Sequence, residues 1–293
     1  MTDHSIQRDF IIGDDWLYYK FFCGHNASNK IITEFLKPIS EEFISSGMIN
    51  EWFFIRYNDP SYHIRYRIKL SSPKYIGQVI IKLNNYLKKY LSNEIVWNVE
   101  LDTYKRELER YGSNTMEISE KIFYIDSKII SDFIENSDSE LLYQKSLFGL
   151  RLVAFYLDTF NLSVLDKLKY TELLKNSYYK EFGSEKEVKK QLDKVFVSNQ
   201  NSINKILDTK ISKANKLTKS IAIYKYEIKN NIKSLLSVYE KNSLEINIES
   251  LLSSYIHMSI NRLFIHNNRL HELNIYDFLW RYYKKLYYKQ NNM

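Results

Sequence analysis

Four residues that can carry positive charge recur at every second position of residues 62–70. They are His63, Arg65, Arg67 and Lys69, and they alternate with aromatic and aliphatic residues. Successive side chains of a β-strand point to opposite faces, so a strand here places all four on one face. Like charges on one face repel each other. This face therefore either contacts water or binds something negative.

The same segment is predicted to be the second strand of a β-hairpin over residues 52–70. Both flanks are rich in aromatic and β-branched residues, and residues 58–61 read Asn-Asp-Pro-Ser. Proline presets φ for a turn, and Asn, Asp and Ser side chains bond to the local backbone.

A second candidate group lies in residues 101–112, LDTYKRELERYG. Glu107 and Arg110 are three residues apart, which places them on one face if the segment is helical. Arg106 and Glu109 have the same spacing. Such pairs are most often surface ion pairs, so spacing alone does not mark a catalytic unit. Gly112 supplies a permissive backbone for a turn.

A third group is polar residues within an apolar helical stretch, SSYIHMSINRLF, residues 253–264. His257 and Asn261 are four residues apart, and Arg262 follows. Buried polar groups destabilise a protein unless they are paired. The cluster is therefore either satisfied internally or serves a site.

Several kinds of chemistry are excluded or unsupported. Cys23 is the only cysteine, so there is no disulfide and no multi-cysteine zinc site. Within an aromatic strand we expect this thiol to be buried and inert. His266 and His271 lack ligand spacing, so no metal is predicted. There is no glycine-rich phosphate loop and no GxSxG motif, and we predict no cofactor.

The elements that must position these residues follow from periodicity. Strands are predicted at 15–23, across the hairpin and at 96–104, with helices at 29–46 and 75–91. This β-α-β-β-α-β order is that of a ferredoxin-like or related α+β sandwich. Pro38 implies a kink or break in the first helix. From residue 114 only helices are predicted, at 115–134, 140–160, 166–179, 184–208, 211–240, 248–264 and 270–288. The fold class is α+β, a sheet module (1–113) followed by a helical module (114–293).

Composition limits the partners and the compartment. The 293 residues carry a formal net charge of +7, but 42 basic residues are interleaved with 35 acidic ones. A mixed surface fits this pattern better than a nucleic-acid patch, so no direct nucleic-acid partner is predicted. No stretch approaches the roughly 20 apolar residues of a membrane span, and no signal peptide is evident. A cytoplasmic location is expected.

Four blocks in fixed order resemble the C-terminal domain of lantibiotic dehydratases. RDFIIGDDWLYYKFFCG (8–24) resembles its first motif, and WFFIRYNDPSYHIRYRI (52–68) its hairpin motif. YKRELERYG (104–112) resembles Y-x-R-E-x-x-R-Y-G-G, with Ser113 in place of the second Gly, and IHMSINRLF (256–264) resembles its H-M-x-x-N-R-L segment. Glu120, Phe123, Asp126 and Ser127 match an E-x-x-F-x-x-D-S ending. The resemblance covers nearly the whole chain and implies one domain, 1–293.

The resemblance implies an activity and a substrate. In such dehydratases an N-terminal domain glutamylates Ser and Thr of a ribosomally made precursor peptide, and the C-terminal domain eliminates glutamate to give dehydroalanine or dehydrobutyrine. The chain is thus expected to be the stand-alone elimination half of a split dehydratase, a lyase working with a separate glutamylation subunit.

The family's elimination chemistry transfers to particular residues of this sequence. The implied catalytic residues are Arg65, Arg67, Glu107, Arg110 and His257, with the choice between the two hairpin arginines open. We expect His63, Lys69, Asn261 and Arg262 to contribute to substrate binding.

Two alternatives remain at this point. Related proteins catalyse a formal [4+2] cycloaddition of two dehydroalanines to form the pyridine of thiopeptides. The chain could also be a non-catalytic peptide-binding subunit of a modification complex. The precursor peptide and the oligomeric state are not determined by the sequence.

Overall fold

The computed structural model describes residues 6–137, 142–182, 185–241 and 243–291. Within these ranges the strands are β1 (Asp9–Phe10), β2 (Trp16–Cys23), β3 (Ile49–Asn58), β4 (Tyr62–Leu70), β5 (Val96–Asp102) and β6 (Tyr104–Lys105). The α-helices are α1 (Ser28–Ile31), α2 (Lys37–Ser45), α3 (Ile76–Ser92), α4 (Leu108–Tyr111), α5 (Met116–Asn136), α6 (Leu142–Thr159), α7 (Val164–Glu181), α8 (Glu185–Asp208), α9 (Lys219–Glu240), α10 (Ile248–Leu263) and α11 (Asn268–Asn291). The predicted α+β class is confirmed.

The four long strands form one antiparallel sheet in the order β3-β4-β2-β5, and β1 pairs with β6. The first long strand thus lies between the third and the fourth, as in a ferredoxin-like sheet. The predicted hairpin is β3 and β4, with Asn58 opposite Tyr62 across the turn. The register places Arg67 between Tyr18 of β2 and Phe53 of β3.

The face of β4 opposite the four basic residues is apolar. Tyr66 is fully buried there, and its hydroxyl is 2.6 Å from Oγ of Ser40 in α2. Phe21 of β2 packs edge-on against Phe35. Burial of this aromatic face holds the N-terminal helices on the sheet.

The interruption predicted at Pro38 takes the form of a π-helical turn, Ile32–Leu36, between α1 and α2. Proline lacks an N–H, and its ring clashes with the carbonyl group four residues earlier. A wider turn directly before proline accommodates both effects.

The helix predicted over 211–240 begins only at Lys219, so its predicted start was wrong. Thr218 precedes the helix, and its hydroxyl accepts a hydrogen bond from the Ser212 N–H (3.1 Å) and donates one to the Ser212 carbonyl (3.0 Å). These two bonds close a loop, which a periodicity argument does not detect.

The chain forms two compact units. The described residues of the first lie within 1–135 and 226–265, and those of the second within 136–225 and 266–293. The first unit therefore combines the sheet with α5 and α10, and the candidate site lies entirely within it. None of the helices in the described ranges is long and apolar enough to cross a membrane.

Candidate active site

Arg67 lines a pocket on the basic face of the sheet. The pocket opens to solvent, and its walls come from β3, β4, residues 104–111, α5 and α10. The Arg67 Cζ lies 4.5 Å from the ring centre of Tyr18, 4.9 Å from that of Tyr104 and 5.3 Å from that of Phe53. Only 7% of the residue is exposed. Three aromatic rings therefore enclose this guanidinium.

Some of the hydrogen-bond donors of Arg67 are unused. Its Nε and Nη1 atoms are buried and have no hydrogen-bond partner. Burial lowers the pKa of Arg67, because the cation has lost water without gaining a hydrogen-bonded carboxylate. The guanidinium still remains protonated near neutral pH. A carboxylate entering the pocket would meet a desolvated cation with unused donors.

Glu107 and Arg110 lie beside this pocket and form the predicted ion pair. Arg110 Nη1 is 3.5 Å from Glu107 Oε2, and Glu107 is one of the residues that line the pocket. The Glu107 side chain is 63% exposed. Arg110 Nε donates to Ser254 Oγ of α10 at 3.1 Å. Arg110 is therefore anchored to α10 while its pairing with Glu107 stays exposed to solvent.

His257 lies on α10, three residues beyond Ser254, and residues three apart share one face of a helix. The next residue, Met258, lines the pocket. The structure thus brings Arg67 and Glu107 to one pocket, with Arg110 paired to Glu107 and His257 on a helix that forms one of the pocket walls.

Arg65 has different surroundings from Arg67. Its guanidinium lies over the ring of Tyr57, 3.3 Å from the ring centre, and its Nε donates to His63 Nε2 at 3.2 Å. His63 Nε2 accepts from Arg65 and so carries no proton, while Nδ1 is 2.8 Å from the Ser61 carbonyl and can only donate to it. The imidazole is therefore neutral, with its proton on Nδ1. Burial lowers the pKa of His63, which favours the same state. Of the two hairpin arginines, Arg67 is the one that lines the pocket.

Acidic residues of neighbouring strands balance much of the remaining charge on this face. Lys69 is 3.9 Å from Glu51 of β3. Lys20 of β2 pairs with Asp102 at 2.5 Å and with Glu100 at 3.6 Å, both from β5. The basic residues of β4 therefore do not form a face that contacts only water. Lys69 stays a predicted substrate-binding residue, and it already has a carboxylate partner.

Asn261 and Arg262 attach α10 to the edge strand β3. Asn261 Oδ1 accepts from the Arg56 N–H at 3.1 Å, and Arg262 Nε donates to the Phe54 carbonyl at 2.8 Å. Ser127 Oγ accepts from the Phe54 N–H at 3.3 Å. An edge strand exposes backbone groups that need partners, and these side chains provide them.

Arg262 is also half of a buried ion pair. Its Nη1 is 2.9 Å from Asp126 Oδ2, and Ser259 donates to the other carboxylate oxygen at 2.7 Å. Both charged side chains are 1% exposed. The substrate-binding role of Asn261 and Arg262 stays a prediction, but their present contacts are structural.

A buried carboxylate that sequence reasoning assigned no chemistry is Glu120. Arg106 binds it through Nε (2.8 Å) and Nη2 (2.7 Å), and the Tyr104 hydroxyl donates to it at 2.8 Å. The predicted pairing of Arg106 with Glu109 is wrong, because Glu109 pairs with Arg8 at 2.6 Å. The signal in the sequence was the match of Glu120 to the E-x-x-F-x-x-D-S block.

The turn after Arg110 is held by the segment before α10. Gly112 has φ +74°, and a Cβ there would lie 3.0 Å from Thr115 Oγ1, so glycine is required. The Ser113 N–H donates to Glu245 Oε2 at 2.6 Å, and the Ser113 hydroxyl donates to Glu245 Oε1. These bonds lower the pKa of Glu245. Ser113, where the family motif has glycine, thereby gains a partner.

Cys23 is buried as predicted, and burial raises the pKa of its thiol to about 12. This thiol is therefore not a nucleophile near neutral pH. Across the described ranges, His, Cys, Asp and Glu side chains form no group of three or more that could hold a metal ion.

The sequence and the fold place the chain in a known class of protein. Residues 16–283 match the family model described as lantibiotic biosynthesis dehydratase, C-terminal. The match covers most of the chain, so the protein belongs to this family, and the predicted resemblance is confirmed. Members of the family act in the biosynthesis of ribosomally made peptide antibiotics.

Two characterised relatives share part of this sequence. The subtilin biosynthesis protein SpaB of Bacillus subtilis is 29% identical over 183 residues, which is 60% of this chain and 17% of SpaB. The nisin biosynthesis protein NisB of Lactococcus lactis is 35% identical over 129 residues, 44% of this chain and 12% of NisB. The chain therefore spans only a small part of the length of these relatives.

Solved structures show the same fold at low identity. The tRNA-dependent lantibiotic dehydratase MibB from Microbispora superposes with a TM-score of 0.69 at 16% identity, over 96% of this chain and 29% of MibB. The pyridine synthase TbtD from thiomuracin biosynthesis superposes with a TM-score of 0.67 at 10% identity, over 92% of this chain and 99% of TbtD.

Proposed function

We propose that this chain is a lyase that eliminates glutamate from glutamylated Ser and Thr residues of a ribosomally made precursor peptide. The products are dehydroalanine or dehydrobutyrine and free glutamate. The observation that carries the proposal is Arg67, a guanidinium more than nine-tenths buried, with two unpartnered nitrogens, in an open pocket beside Glu107. Family membership and the identity with SpaB and NisB support the same reading.

The reaction makes three demands on the protein. A base removes the proton from Cα, the electron pair forms the Cα=Cβ double bond, and the Cβ–O bond breaks. Glutamate leaves as a carboxylate, while negative charge develops transiently on the peptide carbonyl oxygen. The site therefore needs a base and at least two positions at which cations or N–H donors meet developing anions.

The residues around the pocket match these demands. Arg67 binds the departing carboxylate, because its Nε and Nη1 donors are free and desolvated. Arg110, at the border of the pocket, binds the second carboxylate of the glutamyl group, and Glu107 orients it. His257 takes the Cα proton, a role for which histidine is the commonest side chain. All bonds that form and break balance without a redox partner, so no cofactor is required.

The partners follow from the same chemistry. The substrate is a precursor peptide already carrying glutamyl esters. These esters are made by a separate glutamylation activity, which we propose as the functional partner of this chain.

The direct test uses a chemically glutamylated peptide. Incubation with the protein should release free glutamate and leave a dehydrated peptide, detected by mass spectrometry, and an intact glutamylated peptide would refute the proposal.

His257→Ala and Arg110→Ala should each lower the elimination rate by roughly 100-fold or more, since each removes a group that acts on the transition state. Arg269→Ala is the matched control, because Arg269 belongs to the second unit and pairs with Glu181 there. Full activity in both site variants would refute the site assignment.

A second candidate function is pyridine formation by [4+2] cycloaddition. Its support is the superposition with TbtD over nearly the full length of both chains. A peptide that already contains dehydroalanines distinguishes the two activities. Formation of a macrocycle with release of the leader peptide would favour the cycloaddition, whereas no reaction with that peptide favours elimination.

A further inference from the structure

A buried series of contacts links α5 to Arg67. Glu120 of α5 is fully buried and accepts two hydrogen bonds from Arg106 and one from the Tyr104 hydroxyl. The ring of Tyr104 then lies 4.9 Å from the Arg67 Cζ. Tyr104 therefore stands between a carboxylate that is already neutralised and an arginine that is not.

The ring of Tyr104 is fixed on several sides. It contacts Trp16 edge-on at 5.3 Å, Phe53 edge-on at 6.1 Å and Phe10 in a stacked arrangement at 5.8 Å between ring centres. Its hydroxyl is committed to Glu120, so it does not donate a proton into the pocket. Tyr104 is consequently placed to orient Arg67 and not to act on substrate.

The chemistry of the partners explains why this arrangement favours anion binding. A carboxylate next to Arg67 would hold it firmly but would occupy the N–H donors that an incoming anion needs. Aromatic rings attract a guanidinium through their faces and leave its N–H donors unoccupied. The unpartnered Nε and Nη1 atoms of Arg67 are the result.

We propose that Tyr104 and Glu120 are positioning residues that keep Arg67 in its aromatic enclosure with its donors free for the departing carboxylate. Glu120 fixes the Tyr104 ring, and Arg106 neutralises Glu120 so that the carboxylate does not compete for Arg67. The catalytic consequence rests on the proposed function, but the positioning of Arg67 can be measured without it.

The first experiment observes Arg67 itself. In the full chain labelled with ¹⁵N-arginine, the Arg67 Nε–H signal is assigned by its loss in Arg67→Lys, and free glutamate is titrated as the probe. The wild-type signal should exchange slowly with water and shift on titration. Tyr104→Leu should speed exchange and weaken glutamate binding, each by roughly tenfold, as expected for losing one cation–π contact.

Two further variants separate positioning from general destabilisation. Tyr104→Phe keeps the ring but removes its anchor, and Glu120→Gln keeps the shape but removes the charge. Each should weaken glutamate binding by about threefold to tenfold, in line with the loss of one buried hydrogen bond. Tyr66→Phe is the matched control. It removes a buried hydroxyl that is bonded to Ser40, on the face of β4 opposite Arg67, and it should leave Arg67 unchanged.

The outcomes distinguish this inference from the proposed function. If Tyr104→Leu and Tyr104→Phe both bind glutamate with wild-type affinity and leave Arg67 exchange unchanged, the inference is overturned even when elimination proceeds. If the Arg67 signal depends on Tyr104 but no glutamylated peptide is processed, the inference stands and the proposed function fails. Where elimination is observed, the variants should lower kcat more than they raise KM, because Arg67 binds the leaving group most tightly as it departs.

Discussion

Replacing Arg67 with methionine separates a functional arginine from a structural one. Methionine keeps most of the apolar volume among the rings of Tyr18, Phe53 and Tyr104 but removes the charge and every donor. Arg67 has no carboxylate at hydrogen-bond distance, so Arg67→Met leaves no ion stranded. The prediction is a protein that folds about as well as the wild type and has lost its activity.

The size of each effect follows from the contacts. Two buried donors without partners destabilise the fold by about 1–3 kcal/mol each, and three ring contacts offset this by about 0.5–2 kcal/mol each. The midpoints of the two totals are both about 4 kcal/mol and nearly cancel, so the free energy of unfolding should change by less than about 2 kcal/mol, in either direction. Two charge-assisted hydrogen bonds to the leaving group contribute about 3–6 kcal/mol to the transition state, so the elimination rate should fall by roughly 10²–10⁴.

Arg262→Met provides the contrast in the same unit. Arg262 is also buried, but its guanidinium pairs with Asp126 at 2.9 Å. Removing it leaves a buried carboxylate without its cation, which typically destabilises a protein by about 3–5 kcal/mol. Urea unfolding and the release of glutamate, measured on both variants, give stability and activity separately. The reasoning fails if Arg67→Met is destabilised as much as Arg262→Met, or if it retains full activity.

Two other predictions concern the surroundings of the site and the second unit. Glu245→Gln should lower the free energy of unfolding by about 1 kcal/mol by weakening the hydrogen bonds to Ser113, and an unchanged urea midpoint at pH 7 would contradict this. Because these bonds lower the pKa of Glu245, their contribution to stability is present above the pKa of Glu245 in the unfolded chain. It is lost as the pH falls through the pKa of Glu245 in the folded protein. Burial and Lys145 lower the pKa of His271 to about 4, so its contribution is complete above about pH 6.5 and falls as the pH drops toward 4, by at most about 3 kcal/mol. His271→Asn should flatten the pH dependence of stability in that window, and an unaltered profile would contradict the assignment.

Local patterns in the sequence were sufficient for most of the fold. The hairpin and the β-α-β-β-α-β order of the first six predicted elements depend on turn residues and on the periods of 2 and 3.6, all of which are short-range signals. The start of α9 at Lys219 was missed because Thr218 closes a loop onto Ser212 through side-chain bonds. A loop closed in this way gives no signal in the hydrophobic periodicity of the sequence.

The candidate site required contacts that no short segment encodes. Arg65 and Arg67 share one face of one strand, so alternation cannot distinguish them. Their difference comes from the neighbouring strands and from Tyr104, which the fold brings to Arg67 alone. The pairing of Arg106 with Glu120 rather than Glu109 is likewise a tertiary contact, since α4 is only one turn long and Glu109 is exposed.

The two buried arginines of this unit show what separates a structural motif residue from a functional one. Both lie in the blocks that mark the family, and both are more than nine-tenths buried. Arg262 donates from Nε to the Phe54 carbonyl and from Nη1 to Asp126, and although its Nη2 has no partner, its charge is paired within the fold. Arg67 is held by rings and keeps two donors without partners beside an open pocket. Burial of a cation without a hydrogen-bonded anion is unfavourable, and an anionic substrate is the partner that would compensate for it.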